Sequence, residues 1–390
     1  MEKIISTENI PIKLWLKNID AGALSQAFNL ANHPKAFHHI ALMPDTHVGF
    51  GMPIGGVLAT KDVIIPNAVG VDIGCGICAV RTNLNEIPFE ILKGIISVVR
   101  KLIPVGFKHH KHKQKSELMS DPANYTKDRL PIVEQEYRSA LYQIGTLGGG
   151  NHFIEIQKGG DGFIWLMVHS GSRNIGYKVA NHYNKLAKSL NEKWKSSIPR
   201  KWDLAYLPLN DKHGQIYKYE MQFCIDFAFA NRKLMMEKIK EAISNHINDI
   251  SFGSMLNIAH NYASEEKHFG KQVIIHRKGA TKANKQTIGI VPGSQGTKSY
   301  IVRGKGNEDS FNSCAHGAGR RLGRRQAQRQ LDIEQERRLL EDKKIIHSLH
   351  SKRDLDEAPS AYKDISLVMK NQEDLVETLT ELTPLAVVKG

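Results

Sequence analysis

The chain has 390 residues, of which 41% are hydrophobic and 24% are charged, so it can bury a sizeable core and its composition argues against disorder. No run of about 18 apolar residues is present to span a bilayer, and the N-terminus lacks the apolar segment of a signal peptide, so we expect no membrane contact and a cytoplasmic location. The formal net charge of +14 favours a polyanionic partner, nucleic acid first, over the alternative of a basic protein with no such partner.

Short runs rich in β-branched residues predict strands, and apolar residues spaced three and four apart predict helices. The predicted strands cover residues 54–58, 63–65, 163–168, 273–276 and 298–303. The predicted helices cover residues 176–195, 219–247, 257–266 and 361–382, with a further helix opening in the arginine-rich segment 320–325. Strands and helices are interspersed without a regular βαβ alternation, a repeat or a linker. We therefore predict a mixed α+β fold, one large domain over residues 1–390, with an active site built from loops around a central β-sheet core.

Five short glycine-flanked blocks carry metal-ligand or nucleophile-type side chains at backbone kinks. They lie at residues 43–47, 71–75, 149–152, 168–171 and 313–320. Glycine allows positive φ and lets an ion or a ligand approach the backbone closely. One such block is compatible with a chance turn, but five blocks that mix Asp, Cys and His indicate a metal centre assembled from distant loops.

The metal hypothesis depends on a set of residues taken together. Asp72 and Cys75 place a hard oxygen beside a soft thiolate, which suits a borderline divalent ion and allows the sulfur to bridge two metals. The C-x-x-C spacing that begins at Cys75 has neither a second such pair nor a histidine pair to complete a zinc knuckle. Each of His152, His169 and His260 alone is explained as well by a satisfied core or turn residue. Jointly, one thiolate, one carboxylate and three imidazoles match a dinuclear transition-metal site.

Nucleotide-binding motifs of the common kinds are absent. No P-loop sequence occurs, and the run 74–79, which imitates a dinucleotide fingerprint, is followed by poor helix formers, so we reject that interpretation. The Gly/Ser-rich loop 292–299 offers backbone N–H groups and hydroxyls that suit phosphates, although the bare pattern is weak.

His316 is the candidate nucleophile. It looks like the most exposed histidine of the sequence, and the glycines Gly317 and Gly319 clear space for a substrate. Arg320 supplies a guanidinium that can bind phosphate in a bidentate manner. These neighbours make His316 a credible group for covalent catalysis.

A basic, histidine-rich segment lies at residues 108–115. Its lysines are compatible with nucleic-acid binding, and equally with an ordinary solvated surface. The surrounding segment 105–137 matches no motif.

Taken together, the blocks resemble the RtcB family of RNA-splicing ligases. The matching stretches lie at residues 43–51, 68–76, 147–155, 169–173, 259–261, 277–280, 292–294, 313–320, 361–364 and 388–390. They occur in family order and reach the last residue, so the resemblance covers essentially the whole chain.

This resemblance implies a GTP- and Mn²⁺-dependent ligase that joins an RNA end bearing a 2′,3′-cyclic phosphate or 3′-phosphate to a 5′-hydroxyl end. His316 would attack GTP and form a histidine–GMP, and the GMP would pass to the RNA 3′ end. Two Mn²⁺ ions per site would be held, with Cys75 bridging, by Asp72, Cys75, His152, His169 and His260. The guanylate would be bound by Asn151, Glu155, Asn261, Ser294, Ser299, Arg320, Tyr362 and Lys389, together with the loop residues Pro292, Gly293, Gly317 and Gly319.

Two other functions compete with a ligase. An RNA-binding or damage-sensing relative that no longer ligates predicts loss of His316 or Cys75, and both residues are present. A metal-dependent phosphodiesterase that only opens cyclic phosphates would need no guanine-nucleotide pocket. The implied partners are RNA ends and GTP. The need for an activating protein and the identity of the physiological RNA stay open at this point.

Overall fold

The computed structural model describes residues 1–390. Its α-helices are α1 (Ala21–Ala31), α2 (Pro66–Val69), α3 (Phe89–Leu102), α4 (Pro131–Gln143), α5 (Arg173–Lys193), α6 (Lys212–Ser244), α7 (Arg324–Gln330), α8 (Ile333–Glu341) and α9 (Ile365–Lys370). Its strands are β1 (Lys3–Ile5), β2 (Ile12–Leu14), β3 (Ala36–His47), β4 (Ile54–Thr60), β5 (Val63–Ile64), β6 (Gly76–Arg81), β7 (Phe153–Gly159), β8 (Ile164–Ser170), β9 (Leu207–Pro208), β10 (Leu256–Ala259), β11 (Asn261–His268), β12 (Lys271–Lys278), β13 (Ala280–Lys282), β14 (Ile288–Val291), β15 (Ser299–Gly304), β16 (Ser313–Ala315) and β17 (Val376–Lys389).

Two large sheets organise the molecule. The first has six strands in the order β1-β2-β3-β4-β12-β11, and only its β2/β3 pair is parallel. The second has seven strands in the order β10-β6-β8-β7-β17-β15-β14, all antiparallel. His260 is the single residue between β10 and β11, so the chain passes from one sheet to the other at that residue.

The seven-stranded sheet gathers several strand ends at one edge. Strand β6 begins directly after Cys75 and β7 directly after His152, whereas β8 ends with His169 and Ser170, and β10 ends just before His260. Because neighbouring antiparallel strands alternately begin and end at the same edge, these four neighbours bring distant residues together. The pairing of Gly76 with Ser170 and of Phe153 with His169 fixes that alignment.

Helix α6 supports this edge from beneath. It begins where the Asp211 side chain accepts the His213 N–H, and it packs against β8, β6, α5 and α3. Its fully buried Arg232 donates hydrogen bonds of 2.9 Å to the Gly74 carbonyl and 2.8 Å to the Ser170 carbonyl. One side chain therefore holds the backbone on both sides of the strand pair β6/β8.

A second buried polar cluster lies in the six-stranded sheet. Arg277 on β12 is completely buried and donates to both carboxylate oxygens of Glu266 on β11, at 2.5 and 3.2 Å. It also donates to the Ser313 hydroxyl and the Phe311 carbonyl, both at 2.9 Å, and His268 completes the contacts of Glu266. No buried side-chain nitrogen or oxygen of this cluster lacks a partner.

The predicted α+β class is confirmed, as are the five predicted strands and the helices at 176–195 and 219–247, which correspond to α5 and α6. The two remaining helix predictions are wrong. Residues 257–266 form β10 and β11, and most of 361–382 belongs to α9 and to the long strand β17. In both segments, strand pairing outweighs a local helical spacing, because β17 lies between β7 and β15, β10 pairs with β6 and β11 pairs with β12.

The prediction for the arginine-rich segment is also wrong in detail. Helix α7 begins only at Arg324, with Gly323 preceding it, so Arg320 and Arg321 lie outside it. Asp332 then accepts the Gln335 N–H and starts the separate helix α8. The charge pattern had indicated one continuous helix, but the chain forms two, with Asp332 capping the second.

Candidate metal centre and active site

The five residues expected as metal ligands form two overlapping clusters at the edge of the seven-stranded sheet. One contains Cys75, His169 and His260, and the other contains Asp72, Cys75 and His152. Within each cluster the ligand atoms lie within 4.8 Å of one another. Cys75 belongs to both clusters, so its sulfur lies where a ligand shared by two ions has to lie.

The backbone around Cys75 depends on glycines. Gly74 has φ of 73° and its N–H donates to the Asn261 carbonyl at 2.8 Å. A Cβ at Gly76 would lie 1.9 Å from the Ile258 carbonyl oxygen. Any other residue at these two positions would strain the turn or push β10 away from β6.

Hydrogen bonds orient two of the imidazoles toward the sulfur. The Nδ1–H of His152 donates to the Leu147 carbonyl at 3.0 Å, and that of His169 to the Asn151 carbonyl at 3.1 Å. Their Nε2 atoms, which therefore carry lone pairs, lie 3.4 and 3.3 Å from the Cys75 sulfur. Such second contacts are typical of metal-ligating histidines because they fix the tautomer and the ring.

Two features of the clusters fit a cation. The Nε2 lone pair of His152 faces the Oδ2 of Asp72 at 3.0 Å, so two acceptors oppose each other unless a proton or a metal ion lies between them. Ligands to one ion are separated by about 3 Å when each bond is about 2 Å long. In addition, the buried Nδ1 of His260 has no hydrogen-bond partner. The sulfur, nitrogen and oxygen donors together suit a divalent transition-metal ion.

The protonation equilibria of these groups follow from burial. Burial and the neighbouring Asp72 carboxylate raise the pKa of the Cys75 thiol well above its usual value. Burial and the surrounding imidazoles lower the pKa of His169 and His260 far below theirs. For Asp72, burial raises the pKa, but the hydrogen bond and charge of His152 outweigh it and the net pKa is lowered. Without a cation, burial thus favours the neutral thiol of Cys75 and the neutral imidazoles of His169 and His260, and Cys75 can ligate once it loses its proton.

His316 lies beside this centre. It follows β16, its ring centroid is 4.7 Å from that of His260, and its Nδ1 is 2.6 Å from the Oδ2 of the fully buried Asp45. The backbone N–H of His316 donates to the same oxygen at 3.1 Å. The expectation that His316 is the most exposed histidine is wrong, since its side chain is 14% exposed whereas His109 and His112 are exposed. Asp45 thus fixes a partly enclosed imidazole with its Nε2 free.

A cavity of about 790 Å³ adjoins both His316 and the clusters. Of the expected site residues it is lined by Asp72, Cys75, Asn151, Glu155, His169, His260, Asn261, Pro292, Gly293, Ser294, His316, Gly317, Gly319, Arg320, Tyr362 and Lys389. His152 lies behind Cys75, and Ser299 is buried behind the loop that precedes it. The structure therefore brings the whole expected set to one place, with two members in the layer behind the wall.

Glu357 organises the far wall of the cavity. Its buried carboxylate accepts hydrogen bonds from Arg320 at 3.1 Å, from Lys389 at 3.4 Å and from the Tyr362 hydroxyl, and it forms an ion pair of 3.2 Å with Arg324. Burial raises the pKa of Glu357, but these cationic neighbours outweigh it and the net pKa is lowered. Sequence reasoning missed Glu357 because it lies in no block and no local pattern marks it.

Two expectations about phosphate groups change with the structure. The Arg320 guanidinium is engaged by Glu357 and by the carbonyls of Leu322 and Asp356, so it braces the wall instead of standing free. In the loop 292–299, the N–H of Gly293 and that of Ser294 already donate to hydroxyls within the loop. The loop is consequently preformed, and those two donors are not available as an open phosphate cradle.

Two further residues of the cavity region, Asp45 and Lys278, were given no role by the sequence, and a third, Glu155, has an unexpected protonation equilibrium. Asp45 lies inside the block 43–47, which was noticed without a role for it. Lys278, which lines the cavity, donates to the carbonyls of Phe50 and Asn67 at 2.6 and 2.9 Å, and burial lowers its pKa to about 7. Glu155 was expected, but its state was not: burial raises its pKa to about 8.

No helix of the chain combines the length and the apolar character required to cross a membrane.

Comparison with known proteins points to one family. A family model described as tRNA-splicing ligase RtcB matches residues 26–390. The RNA-splicing ligase RtcB of Escherichia coli K12 is 37% identical over 410 residues, which covers 100% of this chain and 99% of that protein. The tRNA-splicing ligases RtcB of Nanoarchaeum equitans and Methanococcus maripaludis are each 31% identical, over 98% and 97% of this chain and 96% and 93% of theirs. The family model covers almost the whole chain, and the Escherichia coli relative covers all of it, so the chain belongs to the RtcB family.

Proposed function

We propose that this protein is a GTP- and Mn²⁺-dependent RNA ligase, which joins a 2′,3′-cyclic phosphate or 3′-phosphate end to a 5′-hydroxyl end. The observation that carries the proposal is the position of His316. Asp45 holds its ring so that the ring centroid lies 4.7 Å from that of His260, a member of one of the two clusters that contain Cys75. Membership of a family whose members are named RNA-splicing ligases supplies the substrate class.

The whole chain acts as one ligase domain in this proposal. The cavity is lined by residues from Asp20 to Lys389, and its walls come from both large sheets. Removal of either sheet would therefore remove part of the site. The four cysteines are free and buried, which suits the reducing cytoplasm in which we place the enzyme.

Two metal ions would be held by the overlapping clusters, one by Cys75, His169 and His260 and the other by Asp72, Cys75 and His152. Bound Mn²⁺ would supply positive charge that neutralises and polarises phosphate oxygens. The protein contributes fixed ligands, and the carbonyls of Leu147 and Asn151 keep the tautomers that leave Nε2 free.

His316 acts as the nucleophile toward the α-phosphorus of GTP. Its Nε2–P bond forms as the bond to the β-phosphate oxygen breaks, and pyrophosphate leaves. The proton stays on Nδ1, where Asp45 at 2.6 Å stabilises the positive charge that develops on the ring. The guanylate then passes to an oxygen of the RNA 3′-phosphate as the Nε2–P bond breaks, and the 5′-hydroxyl oxygen attacks the 3′-phosphorus, which releases GMP and joins the strands. A 2′,3′-cyclic phosphate end enters this sequence after water has opened it to the 3′-phosphate.

The guanylate would lie against the far wall of the cavity. The proposed contacts are Asn151, Glu155, Asn261, Pro292, Gly293, Ser294, Gly317, Gly319, Arg320, Tyr362 and Lys389, with Ser299 supporting the loop from behind. Glu155 is the natural partner of guanine N–H groups, since hydrogen bonds donated by the base would favour the ionised carboxylate of a group whose pKa burial raises to about 8. Glu357 keeps the basic and phenolic side chains of that wall in position.

The test is incubation with α-labelled GTP and Mn²⁺, followed by a denaturing gel. Label is expected on the wild type and on His213→Ala, which alters a half-exposed histidine outside the cavity, and not on His316→Ala. Metal-loaded wild type that takes no label would contradict the proposal and favour a phosphodiesterase. Joining of two RNA strands, one with a 3′-phosphate and one with a 5′-hydroxyl, tests the second half of the reaction.

A further inference from the structure

The segment 105–115, called here the platform loop, carries an unusual combination of side chains beside the metal centre. Phe107 is fully exposed, more than any other large hydrophobic residue of the chain. The loop also carries four exposed lysines: Lys108, Lys111, Lys113 and Lys115. None of the four lies within salt-bridge distance of a carboxylate, although many other surface lysines do.

Both ends of the platform loop are fixed to the fold. At its start, the Gly106 N–H donates to the Gly148 carbonyl at 2.8 Å, and Arg173 donates to the Gly106 carbonyl at 3.1 Å. Towards its other end, the His110 and Gln114 N–H groups each donate at 2.9 Å to the last turn of α4. Phe107 is thus held out into solvent on an anchored turn and does not trail from a free chain.

The same contacts connect the platform loop to the metal ligands. The Leu147 N–H donates to the Pro104 carbonyl at 2.9 Å, and the Leu147 carbonyl accepts the Nδ1–H of His152 at 3.0 Å. Gly148, which accepts from Gly106, follows Leu147 directly. One short segment therefore carries the platform loop on one side and a ligand of the Asp72–Cys75 cluster on the other.

Isolated exposed hydrophobic residues are common on proteins and need no explanation by themselves. Phe107 differs because unpaired lysines follow it on an anchored loop, in a chain of net charge +14. An exposed aromatic ring among cationic side chains is the combination that binds single-stranded nucleic acid, since every base has a face that stacks and every phosphate a charge that pairs.

We propose that the platform loop binds the single-stranded RNA next to the end being joined, with Phe107 stacked on an unpaired base and the lysines against the phosphates. This inference rests on the proposed function for its substrate class and adds the place where the strand lies. The Phe107 ring positions the nucleotides next to the RNA end relative to the metal centre, and the lysines contribute affinity that does not depend on the RNA sequence.

The experiment measures binding of a single-stranded RNA oligonucleotide with a 3′-phosphate to the full chain, by fluorescence anisotropy without GTP. Phe107→Ala is expected to weaken binding about tenfold, as loss of one stacked base does, and Phe107→Trp to retain it. The matched control is Phe89→Ala, which removes another exposed ring that lies outside the 790 Å³ cavity and is expected to leave the affinity unchanged. A fully paired blunt duplex of the same sequence should bind wild type and Phe107→Ala equally.

The lysines are tested separately through salt dependence. Replacing Lys108, Lys111, Lys113 and Lys115 by glutamine should reduce the magnitude of the slope of log K against log salt by up to about 3, whereas Phe107→Ala leaves that slope unchanged. An unaltered slope, or an unaltered affinity of Phe107→Ala for the single strand, would overturn the inference. Equal losses of affinity for the single strand and the duplex would show that Phe107→Ala acts by altering the protein structure and not by removing a stacked base.

Labelling of His316 by GTP is followed in the same variants. Phe107→Ala should label as the wild type does, because the ring lies outside the nucleotide cavity. Absence of label in the wild type would contradict the proposed function, and the RNA measurements would still decide whether the platform loop binds a strand.

Discussion

Two clusters of buried polar side chains lie in the two large sheets, and they differ in how their charges are satisfied. In the six-stranded sheet, Arg277 and Glu266 compensate each other and no buried atom of their cluster lacks a partner. At the edge of the seven-stranded sheet, Asp72 faces a lone pair of His152 and the Nδ1 of His260 has no partner. The first cluster is complete as protein alone, whereas the second leaves donor atoms that a proton or a metal ion can satisfy. The unpaired donor atoms of the second cluster are therefore what sets it apart from the first.

The largest expected effect is in the complete cluster. Arg277→Met leaves the Glu266 carboxylate buried without its partner, and we expect the free energy of unfolding in urea to fall by about 3–5 kcal/mol. Combining it with Glu266→Gln should recover part of the loss, because the uncompensated charge is then gone. A single variant as stable as the wild type would show that the two clusters do not differ in this way.

The next largest effect is expected when metal is added or removed, because an ion should stabilise the cluster around Cys75 and not the cluster around Arg277. Mn²⁺ in hundredfold excess over its Kd should raise the free energy of unfolding of the wild type by about 2.7 kcal/mol per ion, and EDTA should abolish that gain. Cys75→Ala should lose the gain for both ions and should not label with GTP. Cys224→Ala, which alters another fully buried free cysteine, should keep the response to Mn²⁺. A full response of Cys75→Ala would contradict the shared role of its sulfur.

Acid should destabilise the complete cluster in a defined range of pH. Burial raises the pKa of Glu266, but His268 and Arg277 outweigh it, so the folded pKa lies below the usual value of 4.5. The stabilisation is therefore present above 4.5 and is lost as the pH falls below that value. Urea unfolding in EDTA from neutral to acid pH should show this loss in the wild type, and the loss should be smaller in Glu266→Gln. Identical pH curves would assign the acid sensitivity elsewhere.

The smallest effect is expected from an unsatisfied group. His260→Leu replaces an imidazole whose Nδ1 is buried without a partner, so in EDTA the free energy of unfolding should change by less than about 1 kcal/mol. In Mn²⁺ the same variant should lose stabilisation relative to the wild type. If His260→Leu unfolds in EDTA as readily as Arg277→Met, the imidazole has a structural role of its own.

Much of the candidate site was predictable because its signals are local. Glycines next to Asp72, Cys75 and His152 indicated kinks, and His169 followed an apolar run that forms β8. The convergence of these residues then follows from antiparallel neighbours that share one edge. What failed was strand pairing. Residues 257–259 pair with β6 and residues 376–382 pair with β15, both far along the chain, whereas residues 261–266 pair with the next strand, β12, across a short turn that the helical spacing had concealed. Glu357 likewise acquires its role only when Arg320, Tyr362 and Lys389 meet around it.

The single residue that joins β10 to β11 also bears on how the protein folds. The Asn261 side chain donates to the Asp72 carbonyl across 189 residues of chain, and His260 beside it lies between a strand of each large sheet. Closing so long a loop is costly early in folding, so the ion cannot nucleate the structure as it does in small zinc modules. We therefore expect an ion to bind after the fold has formed and not to direct it.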